Sequence, residues 1–257
     1  MGIRAENLSF YYKNGKEIFH DISFEVSTSD VFCILGPNGV GKSTLLKCLI
    51  HHLIPTAGQV YYDNRLIQSY SAKGLSRNIA YIPQIHVPTF PFPVIDVVTM
   101  GRTSHLGYFA SPGENDKNIA IENLKFLGVE HLANKPYTEI SGGERQLIMI
   151  AAALTQEPKI MILDEPTSHL DFGNQYRFLQ IVKSIKKKGV GVIMTSHYPD
   201  HAFEVADFTA IMQRGTFTHV GKPDDVIVQK NMEELYRIPV KIFDVLGIKK
   251  KSCVAGI

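Results

Sequence analysis

Apolar and polar residues follow two rhythms along this chain, one typical of strands and one typical of helices. Residues 31–35, 160–163 and 190–195 are short apolar runs that predict buried strands. Residues 59–63 and 79–82 predict two further strands. Residues 3–26 predict strands around a hairpin turn at Asn14-Gly15, and residues 208–220 predict a hairpin that turns at Arg214-Gly215.

Helical spacing of apolar residues recurs between these strands. It covers residues 43–50, 94–101, 115–128, 147–155, 172–188 and 223–237. Prolines at positions 88, 91 and 93 exclude a regular helix or a central strand from residues 85–94, so we interpret that stretch as a connector out of the sheet. Residues 85–140 are therefore predicted to form a helical insertion in an α/β fold.

Composition narrows the class of protein. The chain has 257 residues, of which 44% are hydrophobic and 20% charged, as in an ordinary folded protein. Its net charge of +2 creates no strong field for nucleic acid, and we expect no nucleic-acid partner. The three cysteines are widely spaced and indicate neither a disulfide framework nor a metal cluster. No stretch is long and apolar enough to span a bilayer, so any membrane contact is expected to go through a partner.

A glycine-rich segment carries the strongest chemical signal. Residues 36–44 read Gly-Pro-Asn-Gly-Val-Gly-Lys-Ser-Thr, which matches the phosphate-binding pattern G-x-x-x-x-G-K-S. The segment follows a predicted strand and opens a predicted helix, so backbone N–H groups and the positive helix end converge on one anion. Lys42 is expected to reach the β- and γ-phosphates of a nucleotide, and Ser43 to ligate Mg²⁺.

Acidic residues end another buried strand. Asp164 and Glu165 follow residues 160–163, and in a chain with a phosphate loop they predict a metal-binding Asp and a water-polarising Glu. His197 follows the strand at 190–195, although a lone histidine there is usually structural. Ser141-Gly142-Gly143 begins a predicted helix and offers N–H groups to an anion, but on its own the segment is better explained as a capped helix with a Gly-Gly turn. Tyr12 offers a ring to a nucleobase, yet tyrosines on strands usually serve packing.

Taken together and in this order, the motifs resemble those of the ATP-binding cassette (ABC) ATPases over residues 3 to about 235. The segment 36–44 resembles the Walker A loop and Gln84 the Q-loop glutamine. The remaining matches are Ser141 to Gln146 with the signature, Ile160 to Glu165 with Walker B, Ser168 to Asp171 with the D-loop, His197 with the switch histidine, and Tyr12 with the adenine-stacking aromatic.

Four positions depart from the family pattern. Ile140 and Glu144 replace the common Leu and Gln of the signature, Ala152 stands where arginine is frequent, and His169 stands in the D-loop where Ala is usual. None of them removes a phosphate or metal ligand. They leave the rate of hydrolysis and its coupling open.

The resemblance implies a P-loop ATPase core with a mixed β-sheet, an antiparallel β subdomain and a helical insertion subdomain. It implies ATP and Mg²⁺ as cofactors, with Ser43, Gln84 and Asp164 at the metal. The implied catalytic residues are Glu165, His197, Lys42 and Gln84. The implied nucleotide-binding residues are Tyr12, Gly36, Asn38, Gly39, Gly41, Lys42, Ser43 and Thr44, completed by Ser141, Gly143, Glu144 and Asp171.

The expected organisation has four parts. Residues 1–84 form an ATP-binding core with its antiparallel part, and residues 85–155 form a helical subdomain that ends in the signature helix. Residues 156–222 return to the core with Walker B, the D-loop and the switch histidine. Residues 223–257 are expected to form a C-terminal helical tail.

Residues 81–84 and 97–107 resemble the ATPases of importers for iron-siderophores, haem and cobalamin, and those for molybdate or tungstate are similar here. The implied partners are a second copy of the chain, a transmembrane permease and, through the permease, an extracytoplasmic substrate-binding protein. The implied location is the cytoplasmic side of the membrane. Residues 85–140 are expected to dock on the permease, with Arg102 as a candidate contact.

Two other classes of function stay open at this stage. An ATPase of the same fold in DNA repair or translation is one, although the long coiled-coil insertion or second cassette of such proteins is absent. A nucleotide-binding regulator without hydrolysis is the other, although Glu165 and His197 argue against it.

Overall fold

The computed structural model describes residues 1–13, 15–84, 90–107, 109–168, 170–245, 247 and 250–256. The predicted turn residue Asn14, residues 85–89 of the proline-rich connector with Pro88, the D-loop residue His169 and the tail residue Lys249 lie outside this part of the chain.

The described residues form strands over most of the segments that the sequence pattern predicts. Their bounds are β1 (Gly2–Tyr11), β2 (Glu17–Ser27), β3 (Val31–Leu35), β4 (Ala57–Tyr62), β5 (Arg65–Leu66), β6 (Ile79–Ile82), β7 (Ile160–Leu163), β8 (Gly191–Ser196), β9 (Phe208–Gln213), β10 (Thr216–Gly221), β11 (Val240–Asp244) and β12 (Lys251–Ala255).

Helices connect and cover these strands. They are α1 (Lys42–Leu49), α2 (Ala72–Ser76), α3 (Val94–Thr99), α4 (Glu114–Phe126), α5 (Gly142–Thr155), α6 (Phe172–Lys187), α7 (Pro199–Val205), α8 (Pro223–Val226) and α9 (Gln229–Tyr236). The predicted helix at 94–101 divides into α3 and a 3₁₀ turn, Met100–Ser104.

The strands make a mixed sheet, an antiparallel sheet and a hairpin. The six-stranded sheet has the order β10-β9-β3-β8-β7-β6, with all pairs parallel except β10–β9. The antiparallel sheet has the order β2-β1-β4-β5, and β11 pairs with β12. The α/β class, the mixed sheet and the antiparallel β part are confirmed. In the parallel part, the carboxyl ends of β3, β6, β7 and β8 meet at one edge, which is where such folds bind ligands.

Two apolar clusters hold the layers together, one on each face of the central sheet. Strand β3 contributes side chains to both clusters, because successive side chains of a strand point to opposite faces of the sheet. Val31, Cys33 and Leu35 belong to the cluster under the helices of one face. Phe32 and Ile34 belong to the cluster formed with α1 and the antiparallel sheet. All five side chains are at most 2% exposed. Full burial of each apolar side chain contributes roughly 1.5–3 kcal/mol, so β3 is firmly fixed directly before the glycine-rich loop.

The C-terminal segment differs from the expected helical tail. Helix α9 ends at Tyr236, Arg237 takes a left-handed conformation with φ +58°, and Pro239 cannot continue a helix. Val240 and Ile242 then pack in the core cluster, while Lys241 between them is exposed. This alternation has the period of two that is typical of a strand. The segment therefore ends in the hairpin β11–β12, which packs on α7 and α9.

Arg102 is also not a surface contact. It is 7% exposed and lies between Asp116 and Glu157, with Nε–Oδ1 and Nη1–Oε2 distances of 3.0 and 2.6 Å. Its Nη1 also donates to the carbonyl of Thr155 at 3.0 Å. Arg102 thus joins α4 to the end of α5, and its substitution would damage the helical insertion itself. Among the described residues, no helix combines the length and the hydropathy needed to cross a membrane.

Candidate nucleotide site

The glycine-rich loop connects β3 to α1, and two of its glycines are sterically required. Gly41 has a φ of +111°, and a Cβ there would lie 2.9 Å from Cγ2 of Ile18. A Cβ on Gly36 would lie 2.6 Å from the carbonyl oxygen of Met212. A side chain at either position would clash with these neighbours and push the loop outwards. Glycine at both positions therefore lets the backbone of the loop stay tightly curved, as a loop around an anion must be. Of the other predicted loop ligands, Asn38 and Gly39 are exposed, and Ser43 and Thr44 are half-buried in the first turn of α1.

Lys42 is the buried cation of this site. It is 4% exposed, and its Nζ donates to the carbonyls of Gly36 and Pro37 at 2.8 and 3.0 Å. The same Nζ lies 2.9 Å from Oε1 of Glu165. The loop that is predicted to bind phosphates thus holds Lys42 against a carboxylate.

Asp164 and Glu165 are placed by the neighbouring strand β8. The hydroxyl of Thr195 donates to Oδ1 of Asp164 at 3.0 Å and accepts from the backbone N–H of Glu165 at 2.7 Å. Tyr81 on β6 donates to Oδ2 of Asp164 at 3.4 Å. Burial, and secondly the charge of Asp164, raises the pKa of Tyr81, so its hydroxyl stays a donor. Glu165 has a φ of +44°, and this strained backbone turns its side chain towards Lys42.

Gln84 and His197 converge on the same carboxylate. Nε2 of Gln84 donates to Oε2 of Glu165 at 2.9 Å, and Nδ1 of His197 lies 3.9 Å from that oxygen. Burial lowers the pKa of His197, the charge of Glu165 opposes that shift, and Lys42 reinforces it. Nδ1 of His197 is buried without a hydrogen-bond partner. A neutral imidazole whose Nδ1 has no hydrogen-bond partner therefore faces the acid.

A second group of predicted residues lies at the starts of α5 and α6. Ser141 and Glu144 form a capping box: Oε2 of Glu144 accepts from the Ser141 N–H at 2.7 Å, and Oγ of Ser141 accepts from the Glu144 N–H at 3.3 Å. The hydrogen bond from the Ser141 N–H, and secondly the Ser141 side chain, lower the pKa of the Glu144 carboxyl. Asp171 caps α6 by accepting from the Asn174 N–H at 2.8 Å. A Cβ on Gly143 would lie 3.3 Å from Nδ2 of Asn174, so the two helix starts are neighbours.

A cavity of about 210 Å³ lies between the two groups, with Gln84 and Glu165 on one wall and Gly142 and Arg145 on the other. The fold brings together Lys42, Gln84, Asp164, Glu165 and His197. It brings together Ser141, Gly143, Glu144 and Asp171 separately. In the part of the chain that the structure describes, no hydrogen bond or ion pair joins the two groups.

Tyr12 stands apart from both groups. It is 45% exposed, and its ring packs edge-on against Phe10 with centroids 5.1 Å apart. Its assignment to the nucleobase stays a prediction.

Sequence reasoning overlooks Thr195 and Tyr81. Both depend on strand order: β7 lies between β6 and β8, with Leu163 opposite Ile82 on one side and Met194 on the other. Thr195 and Asp164 each follow one of these paired residues, and nothing local in the sequence indicates that they are adjacent. The available signal is a hydroxyl near the end of a predicted buried strand.

Comparison with known proteins agrees with this geometry. A family model described as ABC transporter matches residues 19–168, more than half of the chain. The molybdate import ATP-binding protein MolC of Haemophilus influenzae is 34% identical over 93% of this chain and 89% of its own. The hemin import ATP-binding protein HmuV of Hahella chejuensis is 35% identical over 90% of this chain and 91% of its own.

A solved structure of a protein described as a metal-chelate type ABC transporter, in an inward-facing conformation, superposes on the whole chain. Its TM-score is 0.88 and its sequence identity 31%, and the match covers 100% of this chain and 98% of that one. With the glycine-rich loop, the strand-end acids and these relatives in agreement, the chain belongs to the ABC transporter family as an ATP-binding and ATP-hydrolysing subunit.

Proposed function

We propose that the chain energises the import of a metal chelate such as an iron-siderophore, haem or cobalamin. The observation that carries the proposal is the convergence of Lys42, Gln84 and His197 on Glu165 at the carboxyl edge of the sheet. The similarity to a hemin import ATPase and to a metal-chelate type transporter supports the class of substrate.

In this proposal the residues around Glu165 divide the work of hydrolysis. Lys42 leaves Glu165 to neutralise the β- and γ-phosphates, since phosphoryl transfer to water depends mainly on charge neutralisation and alignment. Glu165 then orients the attacking water and takes its proton. His197 donates a ring N–H to the γ-phosphate, and Gln84 senses the γ-phosphate and links the core to the helical insertion.

Mg²⁺ fits the residues predicted to hold it. Ser43 and Asp164 supply hard oxygen ligands. The amide nitrogen of Gln84 donates to Glu165, so its amide oxygen is the atom left to coordinate the metal. Among the described residues, no group of three or more His, Cys, Asp or Glu side chains can hold a metal ion. Mg²⁺ in nucleotide sites needs only one or two protein carboxylates beside the phosphates, and Asp164 supplies one. When bound, it neutralises charge on the phosphates.

The catalytic unit of the proposal is a head-to-tail dimer. Ser141 is exposed and begins a helix, so it offers donors to the γ-phosphate held by a second copy. The test is light scattering of Glu165→Gln with ATP and Mg²⁺, and Lys42→Ala is the matched control that should stay monomeric. A monomeric Glu165→Gln chain under these conditions, with the permease present, would contradict the composite site.

The permease is proposed to dock on the helical insertion from the cytoplasmic side of the membrane. A groove of about 500 Å³ runs between α2 and the 3₁₀ turn after α3, with Met100, Gly101 and Leu106 in its lining. Met100 in this lining is 50% exposed, and Phe90 and Phe92, which precede α3, are 62 and 47% exposed, so the helical insertion presents apolar side chains to solvent. We propose that an apolar helix end of the permease binds in this groove. An extracytoplasmic binding protein would deliver substrate to that permease.

Uptake of labelled substrate tests the import function. Cells whose chromosomal copy carries Glu165→Gln should lose uptake of an iron chelate and keep uptake of unrelated nutrients. Molybdate is the second candidate, because a molybdate importer is similar at 34% identity. Loss of labelled molybdate uptake with intact chelate uptake would replace the first candidate by the second, and loss of neither would contradict both.

A further inference from the structure

The peptide of His197 is held from the C-terminal part of the chain. His197 lies between β8 and α7, and its side chain makes no hydrogen bond through Nδ1. Its backbone carbonyl, in contrast, accepts a hydrogen bond of 2.8 Å from the hydroxyl of Tyr236. Tyr236 is the last residue of α9 and stands 39 positions further along the chain.

The tyrosine is a dependable donor. It is half-buried, and burial, followed by the nearby Cys253, Cys33 and Asp200, raises the pKa of its phenol well above the usual range. The hydroxyl therefore stays protonated, and able to donate, at neutral pH. The His197 carbonyl has no strand or helix partner among the described residues, so this bond is what satisfies it.

The same C-terminal segment also makes hydrogen bonds and an ion pair with α7, the helix that follows His197. Asp200 in α7 accepts from the hydroxyl of Ser252 at 3.0 Å and from the N–H of Cys253 at 2.7 Å. Glu204, one turn later in α7, pairs with Lys250 at 2.6 Å. The hairpin β11–β12 and the end of α9 thus fix both the start of α7 and the peptide before it.

We infer that Tyr236 is a positioning residue for hydrolysis, which holds the backbone of His197 so that its imidazole keeps its place beside Glu165. The inference rests on the role proposed for His197. Without the phenol hydroxyl, the peptide of His197 is free to rotate and the imidazole spends less time in the productive geometry. Nucleotide binding is unaffected, because the contacts of Lys42 and the glycine-rich loop do not include Tyr236.

Tyr236→Phe tests the inference because it removes one hydroxyl and keeps the ring. We expect kcat for ATP to fall about threefold to tenfold, the effect of one hydrogen bond, with KM within about twofold of the wild type. The matched control is Tyr70→Phe, since the Tyr70 hydroxyl donates to the carbonyl of Tyr62 at 3.0 Å in the antiparallel part of the fold. That variant should lose a similar bond and keep kcat.

A double-mutant cycle separates positioning from general stability. In the His197→Ala background, Tyr236→Phe should lower kcat no further, since the group that it positions is gone. A further fall of the same size there, or a raised KM with unchanged kcat, would overturn the inference. Wild-type kcat in Tyr236→Phe beside a slow His197→Ala would overturn it as well. Wild-type turnover in His197→Ala would instead refute the role proposed for His197.

Discussion

The two groups of predicted site residues are built in opposite ways. Around Glu165 the contacts are buried and join distant parts of the chain: Gln84 is 81 positions away, and Thr195 reaches Asp164 across 31. Around Ser141 and Asp171 the contacts are local, each between a helix cap and a residue three positions on. Lys42 and Glu165 are 4 and 7% exposed, whereas Ser141 and Asp171 are exposed.

The difference separates the group of residues that one chain assembles by itself from the group that it can present to a second copy. The buried group needs the strands of the sheet to assemble, and once assembled Lys42, Asp164 and Glu165 each have partners within the chain. The exposed group needs only its own helix turns and leaves its outward surface free. A composite site between two copies requires one group of each kind, which is the arrangement that we propose.

The largest expected effect comes from the buried group. Glu165→Gln should lower the rate of ATP hydrolysis by about 10²–10⁴-fold, because the amide cannot accept the proton of the attacking water. Affinity for ATP should be kept, as measured by titration calorimetry. The control is Glu122→Gln on the exposed face of α4. Turnover within twofold of the wild type in Glu165→Gln would remove Glu165 from its role.

The next effect tests whether the exposed group acts on a neighbouring copy. Ser141→Arg should lower hydrolysis by about 100-fold, since it fills the surface offered to the partner's γ-phosphate, while ATP affinity stays near that of the wild type. Ser71→Arg is a matched control, because Ser71 caps α2 in the same way by accepting from the Gly74 N–H. Equal losses in both variants would reduce Ser141 to a helix cap, which is worth about 1 kcal/mol.

Lys42→Ala should weaken ATP binding about 10- to 100-fold, the effect of a lost charged hydrogen bond of about 1.5–3 kcal/mol. Lys47→Ala in the last turn of the same helix is the control and should bind normally. Mixing Lys42→Ala with Ser141→Arg sharpens the comparison further. Some hydrolysis should return, because one of the two sites in a mixed dimer then carries both wild-type motifs.

Lowering the pH from 7 to 4.5 should lower the free energy of unfolding through protonation of His201, which lies near the buried group. Burial, and secondly the charge of His197, lowers the pKa of His201 to about 4, and its Nδ1 lies 3.0 Å from Oγ of Ser196. The unfolded chain binds a proton below about pH 6.5 while the folded chain does not until about pH 4. Stability is therefore lost as pH falls through that window, by about 3 kcal/mol. His201→Asn should lose less between pH 7 and 4.5 in urea titrations than wild type or the exposed control His52→Asn.

Local patterns predict the parts of this molecule that local chemistry determines. The apolar run before the glycine-rich loop predicts β3, and the Ser-Gly-Gly start predicts the cap of α5. Strand order decides the rest: Thr195 contacts Asp164 only because β8 lies beside β7. The hairpin at the C-terminus is overlooked because helical spacing before Tyr236 suggests continuation. Arg102 looks like a surface charge until Asp116 and Glu157 are brought around it.

The ion pair between Lys42 and Glu165 has a consequence for an idle subunit. A phosphate can take Lys42 only by separating it from this carboxylate, so the lysine cannot serve both anions at full strength. In the proposed site Glu165 therefore competes with ATP for Lys42, and binding of the triphosphate would release the carboxylate in the same step. Until a triphosphate separates this pair, Lys42 and Gln84 both hold the carboxylate of Glu165 in one place.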